Sequence, residues 1–483
     1  LPLEERLPHL WELSPVHDGG FLQEILRSTL GYIAEITPEV ADRIVEVDNA
    51  FIDGFGWEMG PFHMLDALSP VIDWPEGEPP LIVRLHEPPL SLPPASRNGG
   101  AAGSSERGAG GKESAIEAMP RFYVEEGGRH YYFDFHERRW MPLLRPVGVI
   151  VLKDLKKAGK TVEEIDDAAL VDLGDDVLCL EWRTKMNTLH PKLVAFFETA
   201  RLRAEEDFAA LIIGGSGEHF SAGYDLRRFL ARIEIQDWDG LDALLRLFQD
   251  ALIGFKYATI PVIGTAYGYT LGGGCETMLH CTAAQAAFES AIGLPEANVG
   301  LIPAGGGTTQ MLLRVLEKVP PGTLLEPADP YPVLQPLWET LRTGRFSSCA
   351  DDARQLGFLR LTDGLTRHPD RLLHDAKTRA LTLVAEYTPP ARSTALVMGE
   401  SGLARFRWEL HLLRSAEKIT EHDARVAEKL AYVLTGGALI HPAEVTEQHL
   451  LDLEREAFLQ LAGTPETLAR IKHLLEKGKP LRN

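Results

Sequence analysis

The sequence contains only four cysteines in 483 residues, and no C-x-x-C pair occurs. A disulfide framework or a zinc ribbon needs more cysteines at closer spacing, so neither is predicted. Long hydrophobic runs are also lacking, because no stretch of about 18 apolar residues is present. These absences predict a soluble protein of a reducing cytoplasm that does not insert into a membrane.

Positive charge is scarce, since 49 Lys and Arg residues stand against 70 Asp and Glu residues, for a formal net charge of −21. Nucleic-acid affinity depends chiefly on Lys and Arg side chains that neutralise phosphates. A nucleic-acid partner is therefore not expected.

The first residues are acidic and lack the apolar region of a signal peptide. The chain starts with Leu1 rather than Met, and helical spacing of apolar residues is already present at Leu7, Leu10 and Leu13. We therefore expect the chain to be the tail of a longer polypeptide.

Motifs of several other enzyme classes are missing. No G-x-G-x-x-G follows a strand, no H-E-x-x-H occurs, and residues 305–309 lack the lysine of a phosphate-binding loop. His190, His219 and His280 are not spaced as metal ligands and are interpreted as surface or packing residues. The sequence therefore predicts neither a metal site nor dinucleotide binding.

Periodicity and composition divide the chain into five segments. Residues 1–94 have the apolar spacing of helices, and residues 95–118 are so rich in Gly, Ala and Ser that they are predicted to be a flexible linker. Residues 119–167 contain a predicted hairpin and a connecting segment. Residues 168–390 alternate short apolar strands with helices, as in a sheet covered by helices, and residues 391–483 are predicted to be a helical extension.

Three stretches of the α/β segment contain the residues with chemical potential. Ser221-Ala-Gly-Tyr-Asp225 follows a strand and precedes a helix that Asp225 can cap. In Gly272-Gly-Gly-Cys-Glu276, three glycines allow a ligand to approach free backbone N–H groups closely. The third stretch runs from Pro295-Glu296 to the glycines at 305–307. Each stretch alone is more often structural, but their order and spacing are together specific.

These motifs resemble those of the crotonase superfamily across residues 168–345. The resemblance implies an α/β fold built as a spiral of ββα units, with an oxyanion hole formed by the backbone N–H groups of Tyr224 and Gly273. It also implies that Glu276 orients and deprotonates a water molecule while Glu296 delivers a proton to the α-carbon of an enoyl thioester. Such a set suits hydration, because N–H donors stabilise the charge on the thioester oxygen and the carboxylates divide the proton transfers.

The same resemblance adds further positions that would contact the substrate. They are Ala222, Asp225, Gly272, Ala304 and Lys185. Lys185 would lie near a CoA phosphate, although a solvated lysine is the simpler interpretation. Two departures from the family pattern stand out: Tyr224 is bulkier than the usual alanine and is expected to narrow the acyl pocket, and Ala304 replaces a common glycine.

Residues 21–75 resemble the all-α C-terminal domain of 3-hydroxyacyl-CoA dehydrogenases, above all in the segment from Asp53 to Asp66. In that family this domain packs against a domain that binds NAD and carries the catalytic histidine. Because this chain has no dinucleotide motif, NAD is expected only if a further domain supplies its site. His63 is interpreted as a turn residue. The order of segments resembles the fused bacterial 3-hydroxyacyl-CoA dehydrogenase/enoyl-CoA hydratases of fatty-acid β-oxidation.

The presence of both glutamates favours a 2-enoyl-CoA hydratase, which needs no cofactor. An enoyl-CoA isomerase of the same superfamily and a non-catalytic acyl-CoA-binding scaffold are the alternatives. The expected partners are the acyl-CoA substrate and either further copies of the chain or a thiolase subunit. Acyl-chain length and assembly stay open.

Overall fold

The computed structural model describes residues 3–17, 20–74, 77–86, 121–126, 129–144, 147–317 and 330–483. The chain divides into two compact units, Leu1–Pro146 and Val147–Asn483. The predicted linker at 95–118 lies outside the described residues. Within the described residues, no helix is both long and apolar enough to cross a membrane.

The N-terminal unit combines helices with a small antiparallel sheet. Its described helices are α1 (Leu3–His17), α2 (Phe21–Val40), α3 (Ile44–Phe55), α4 (Pro61–Leu68) and α5 (Pro80–His86). The sheet consists of β1 (Tyr123–Glu126), β2 (Arg129–Asp134) and β3 (Arg139–Pro142), in that order. Pairing of β1 with β2 confirms the predicted hairpin. Phe122 and Phe133 share a core with Leu30, Phe62 and Leu65, so the sheet and the helices fold as one unit.

Asp48 organises the start of α4. Its buried carboxylate accepts hydrogen bonds from the Phe62 N–H at 2.7 Å and the Tyr123 hydroxyl at 2.8 Å. His63 lies 2.7 Å from the same carboxylate and stacks on the Tyr123 ring. The interpretation of His63 as a turn residue is therefore wrong, because His63 belongs to the first turn of α4 and anchors it to α3.

The C-terminal unit is built on a seven-stranded sheet in the order β12-β10-β8-β7-β6-β5-β4. The strands of the whole unit are β4 (Thr161–Ile165), β5 (Ala168–Asp172), β6 (Val177–Trp182), β7 (Ala210–Ile213), β8 (Val262–Ala266), β9 (Tyr269–Leu271), β10 (Ala283–Ala287), β11 (Ala291–Gly293), β12 (Gly364–Thr366), β13 (Thr394–Val397) and β14 (Ala443–Thr446). From β6 to β12 the pairs are parallel, and the central strands β6, β7, β8 and β10 are buried. Burial on both faces explains why they are continuous apolar runs in the sequence.

Helices cover the sheet and form the C-terminal part of the unit. They are α6 (Leu152–Lys157), α7 (Pro191–Asp207), α8 (Leu226–Glu234), α9 (Trp238–Lys256), α10 (Gly273–Leu279), α11 (Gly307–Glu317), α12 (Tyr331–Arg342), α13 (Ala350–Leu356), α14 (Leu372–Val384), α15 (Glu400–Ser415), α16 (Glu421–Leu434), α17 (Glu447–Ala462) and α18 (Pro465–Lys477). The predicted signals of the last helix are confirmed: Thr464 caps α18 and Gly478 ends it with a φ of 67°.

The C-terminal extension is an integral part of this unit. Phe458 of α17 and Ile471 of α18 belong to the same apolar core as Phe229 and Met278. The predicted helical tail is confirmed, and within it β13 and β14 pair as an antiparallel ribbon. The extension therefore supplies core contacts to the α/β part.

Candidate active site

The short strands β9 and β11 bring the two predicted carboxylates to one place. They pair in parallel, with Leu271 opposite Gly293. The chain leaves β9 directly into Gly272 and α10, which carries Glu276, and it leaves β11 into the turn that carries Glu296. Because parallel strands end at the same edge, the two glutamates meet at that edge.

The glycine triplet at 272–274 allows another segment of the chain to pack closely against this edge. Gly272 has φ 52° and ψ −126°, a conformation that residues with a Cβ rarely adopt. A Cβ on Gly274 would lie 2.5 Å from the Cβ of Ser221. The glycines thus allow the segment around Ser221 to lie directly against the start of α10.

Two backbone N–H groups lie side by side at this junction. Leu189 forms a parallel bridge with Tyr224 through hydrogen bonds to the residues on either side of Tyr224, which leaves the Tyr224 N–H directed away from Leu189. A Cβ built on Gly273 would lie 3.4 Å from the Tyr224 nitrogen. Within the described part of the chain, neither the Tyr224 N–H nor the Gly273 N–H donates a hydrogen bond. This geometry suits a shared acceptor such as a thioester oxygen.

Glu276 is held by the glycine-rich loop before α11. Its side chain is buried, and its Oε1 atom accepts hydrogen bonds from the Gly305 N–H at 2.7 Å and the Gly307 N–H at 2.9 Å. Burial raises the pKa of the Glu276 carboxyl from 4.5 to about 7, although both hydrogen bonds oppose that rise. A carboxyl group with this pKa can exchange a proton near neutral pH.

Glu296 begins a 3₁₀ helix, Glu296–Val299. Its Oε2 atom is shut off from solvent and has no hydrogen-bond partner among the described residues. A Cβ on Gly272 would lie 3.1 Å from the Glu296 Oε1 atom, which places this carboxyl beside the oxyanion-hole candidate. Burial, and next the nearby charge of Glu276, raise the pKa of Glu296 well above its ordinary value. Of the two carboxyls, Glu276 receives backbone hydrogen bonds that favour its ionised form, whereas the nearby charge of Glu276 favours a proton on Glu296.

A cavity of about 250 Å³ opens between these groups. Seven of the predicted site residues line it: Ala222, Tyr224, Gly272, Gly273, Glu276, Glu296 and Ala304. The remaining lining is largely apolar and includes Leu226, Phe229, Leu245, Phe248, Val299, Leu301, Ile302, Phe458, Leu474 and Pro480. A few polar groups thus face a mostly apolar cavity, as in many small-molecule sites.

Asp225 and Lys185 lie outside this lining. The Asp225 side chain caps α8 by accepting a hydrogen bond from the Arg227 N–H at 3.1 Å, as its position before a helix predicts. Lys185 is exposed in a short 3₁₀ turn. A contact of either residue with substrate therefore stays a prediction.

His190, His219 and His280, which the sequence does not place as metal ligands, form hydrogen bonds to the backbone. His190 accepts a hydrogen bond from the Leu193 N–H and thereby caps α7. His219 accepts one from the Tyr269 N–H at 3.2 Å. His280 is buried, which lowers its pKa to about 4, and its Nδ1 donates to the Glu276 carbonyl oxygen at 2.8 Å. Among the described residues, no three His, Cys, Asp or Glu side chains are grouped as metal ligands would be.

The C-terminal helices supply a part of the site that no motif in the sequence indicates. Phe458 of α17, Leu474 of α18 and Pro480 beyond it close one side of the cavity. Their helical spacing predicts that α17 and α18 pack on a core, but no local pattern indicates which core. The ring of Tyr224 stacks on Phe229 with 4.6 Å between centroids, and both residues line the cavity.

Residues 177–319 match the family model for enoyl-CoA hydratase/isomerase. This part of the chain belongs to the crotonase superfamily. The matched residues, here called the crotonase domain, include the central strands β6, β7, β8 and β10. They also include α10 with Glu276 and the turn with Glu296. The α/β fold class predicted from the motifs is confirmed, with helical segments before and after it.

Relatives extend beyond the crotonase domain. A Bacillus subtilis (strain 168) protein described as a probable 3-hydroxyacyl-CoA dehydrogenase is 34% identical over 96% of this chain and 55% of its own length. The chain thus spans about half the length of that relative. A Rhizobium meliloti (strain 1021) protein described as a probable enoyl-CoA hydratase is 29% identical over 44% of this chain and 71% of its own length. A solved enoyl-CoA hydratase from Bacillus halodurans covers 64% of this chain and 100% of its own, at 17% identity and a TM-score of 0.44.

The raised pKa of Glu276 predicts a cost in stability that depends on pH. A carboxyl whose pKa is raised on folding contributes stability below its ordinary pKa of 4.5, and this is lost as the pH rises through about 7. The change in the free energy of unfolding that Glu276→Gln causes, relative to the unchanged chain, is therefore expected to be about 1–3 kcal/mol more favourable at pH 8 than at pH 5. Thermal and denaturant unfolding at both pH values measure this difference.

The comparison between two pH values cancels any cost of the substitution that does not depend on pH. The surface variant Glu456→Gln is the control and should show no such gain, because Glu456 is exposed on α17. An equal effect of Glu276→Gln at pH 5 and pH 8 would contradict the raised pKa.

Proposed function

We propose that the crotonase domain adds water to 2-enoyl-CoA thioesters in fatty-acid β-oxidation, as part of a fused hydratase/3-hydroxyacyl-CoA dehydrogenase. One observation carries this proposal: Glu276 and Glu296 meet at one cavity. Beside them lie the N–H groups of Tyr224 and Gly273, which donate no hydrogen bond among the described residues. The family match and the names of the relatives support an acyl-CoA substrate.

In this proposal the thioester oxygen of the substrate accepts hydrogen bonds from the Tyr224 and Gly273 N–H groups. Glu276 takes a proton from water while the water oxygen bonds to the β-carbon, and negative charge develops on the thioester oxygen. Glu296 then gives its proton to the α-carbon, which yields the 3-hydroxyacyl thioester. The backbone hydrogen bonds that favour an ionised Glu276, and the neighbouring charge that favours a protonated Glu296, support this division of roles.

The apolar part of the cavity would hold the acyl chain. Phe229, Phe248 and Phe458 offer aromatic surface there, and the partly buried Tyr224 ring reduces the room. Ala222, Gly272 and Ala304 would contact the substrate through backbone atoms, and Asp225 and Lys185 would lie nearer the CoA moiety. Further copies of the chain or a thiolase subunit are the partners that this proposal includes.

An enoyl-CoA isomerase is the competing activity, because it moves a double bond and can use a single carboxylate. The purified chain should therefore be assayed with a 2-enoyl-CoA and with a 3-enoyl-CoA, following the absorbance of the conjugated enoyl thioester. Hydration predicts loss of absorbance from the 2-enoyl substrate. A gain of absorbance from the 3-enoyl substrate alone would favour the isomerase, and binding without turnover would favour a scaffold.

The absence of a dinucleotide motif from this sequence leads to a second expectation. The purified chain should form no NADH when it is mixed with NAD and a 3-hydroxyacyl-CoA, because the N-terminal unit resembles only the helical domain of the dehydrogenases. Absorbance of NADH measures this directly, and an intact 3-hydroxyacyl-CoA dehydrogenase is the positive control. NADH formation above the blank would refute the interpretation of the N-terminal unit.

A further inference from the structure

A second buried carboxylate lies behind the loop that holds Glu276. Glu454 of α17 is 0% exposed. Its Oε2 atom accepts a hydrogen bond from the Gly306 N–H at 2.8 Å. Its Oε1 atom accepts from the Thr309 N–H at 2.6 Å and from the Thr309 hydroxyl at 2.7 Å. Three donors of one short segment thus converge on one side chain of the C-terminal extension.

The donors for Glu454 alternate along the chain with the donors for Glu276. The N–H groups of Gly305 and Gly307 face Glu276, whereas the N–H group of Gly306 faces Glu454. Gly306 has a φ of +103°, and a Cβ there would lie 2.6 Å from the His280 ring. The loop can therefore present successive N–H groups to opposite sides only because glycine stands at this position.

Helix α17 is linked to this loop at a third point, through Gln249 of α9. Gln249 donates hydrogen bonds from its Nε2 atom to the Ala304 carbonyl oxygen at 2.8 Å and to the Leu451 carbonyl oxygen at 3.0 Å. Arg455 donates to the Gln249 Oε1 atom at 2.5 Å. All of these contacts are buried, so α17 forms a polar back wall for residues 304–309.

We infer that Glu454 is a positioning residue, which holds the loop so that its N–H groups keep Glu276 oriented towards the cavity. This inference rests on the proposed role of Glu276 as the base that activates water. A carboxylate suits the task because both of its oxygens accept hydrogen bonds. Glutamine would have to place its NH₂ group against the N–H of Gly306 or of Thr309, and that donor would lose its partner.

The principal test is the variant Glu454→Gln, assayed for loss of a 2-enoyl-CoA. A misplaced base impairs the chemical step more than binding, so kcat should fall roughly 10- to 100-fold while KM stays within about twofold. The matched control is Glu447→Gln on the same helix, because Glu447 is a buried carboxylate bound instead to Lys256, Tyr257 and Gln310. The control should lose stability but keep kcat within about twofold. An equal fall of kcat in both variants, or none in Glu454→Gln, would overturn the inference.

A double-mutant cycle tests whether Glu454 acts through Glu276. In a Glu276→Gln background, adding Glu454→Gln should lower kcat by less than about twofold, since the base that it positions is already gone. Losses that multiply would overturn the inference. If Glu454→Gln does not fold, Thr309→Val removes only the hydroxyl donor and should lower kcat several-fold at unchanged KM. Unchanged kcat in that milder variant would also contradict the proposed role.

Hydrogen exchange separates this inference from the proposed function. The amides of Gly306 and Thr309 should exchange slowly in the unchanged chain and clearly faster in Glu454→Gln, whether or not the enoyl-CoA reacts. If the unchanged chain shows no turnover, the proposed function fails, and exchange alone then decides the role of Glu454. Equal exchange in the two proteins would overturn that role.

Discussion

Replacing Glu296 with glutamine is expected to lower kcat for hydration of a 2-enoyl-CoA by about 10²- to 10⁴-fold, the usual contribution of a general acid or base. Glutamine keeps the size of the side chain but cannot deliver the proton to the α-carbon. Glu276→Gln should have a similar effect, because its amide cannot accept a proton from water. Steady-state assays of the two single variants measure both losses.

Substrate affinity should survive these substitutions. The oxyanion donors are backbone groups of Tyr224 and Gly273, so a Gln variant should bind a saturated acyl-CoA within about 1.4 kcal/mol of the unchanged chain. The double variant should lose much less than the product of the two single losses, because the groups act on one reaction. Hydration at an undiminished rate by either single variant would assign that glutamate a structural role and favour the isomerase or scaffold.

Activity is also expected to fall steeply in acid. The pKa of Glu276 is about 7, and the base must be ionised to take a proton from water. Because kcat/KM reports the free enzyme, it should fall about tenfold per pH unit well below this pKa, or roughly 50-fold between pH 7 and pH 5. Burial and the charge of Glu276 raise the pKa of Glu296 well above its ordinary value, so this acid keeps its proton more readily than an exposed glutamate does.

The carboxyl groups near Glu276 also bear on this profile, and two variants serve as its controls. Glu296 and Glu454 are the nearby carboxyls, and in both the charge of Glu276 helps to raise the pKa. The residual activity of Glu296→Gln should keep an acid limb, whereas that of Glu276→Gln should lose it. A profile of kcat/KM that is flat from pH 5 to pH 8, or that rises in acid, would contradict the role of Glu276.

The motifs that resemble the crotonase superfamily contain residues that the structure brings to one cavity. Gly272, Gly273 and Glu276 lie within one turn of chain, and their packing depends on local properties of glycine. The cap at Asp225 and the buried strands of the central sheet follow in the same way from local patterns. Such features depend on neighbouring residues, so their pattern is visible along the chain.

Other parts of the site depend on contacts between distant segments. Glu454 contacts Gly306 across 148 positions of sequence, and α17 carries both Glu454 and the exposed Glu456, which look alike in an amphipathic helix. Strands β9 and β11 have only three residues each, too few for a periodic signal. The pairing that brings the glutamates together, and the closure of the cavity by α17 and α18, become visible only when these segments pack.

Incorporation of water into the product tests the central claim most directly. The purified chain should be incubated with a 2-enoyl-CoA in water enriched in oxygen-18, and the thioester should be analysed by mass spectrometry. Hydration predicts a product that is heavier by one water molecule and carries the label on its β-hydroxyl group, with formation slowed in Glu276→Gln and Glu296→Gln. A product of unchanged mass, or equal labelling by the chain and by both variants, would contradict the assignment of this cavity as a hydratase active site.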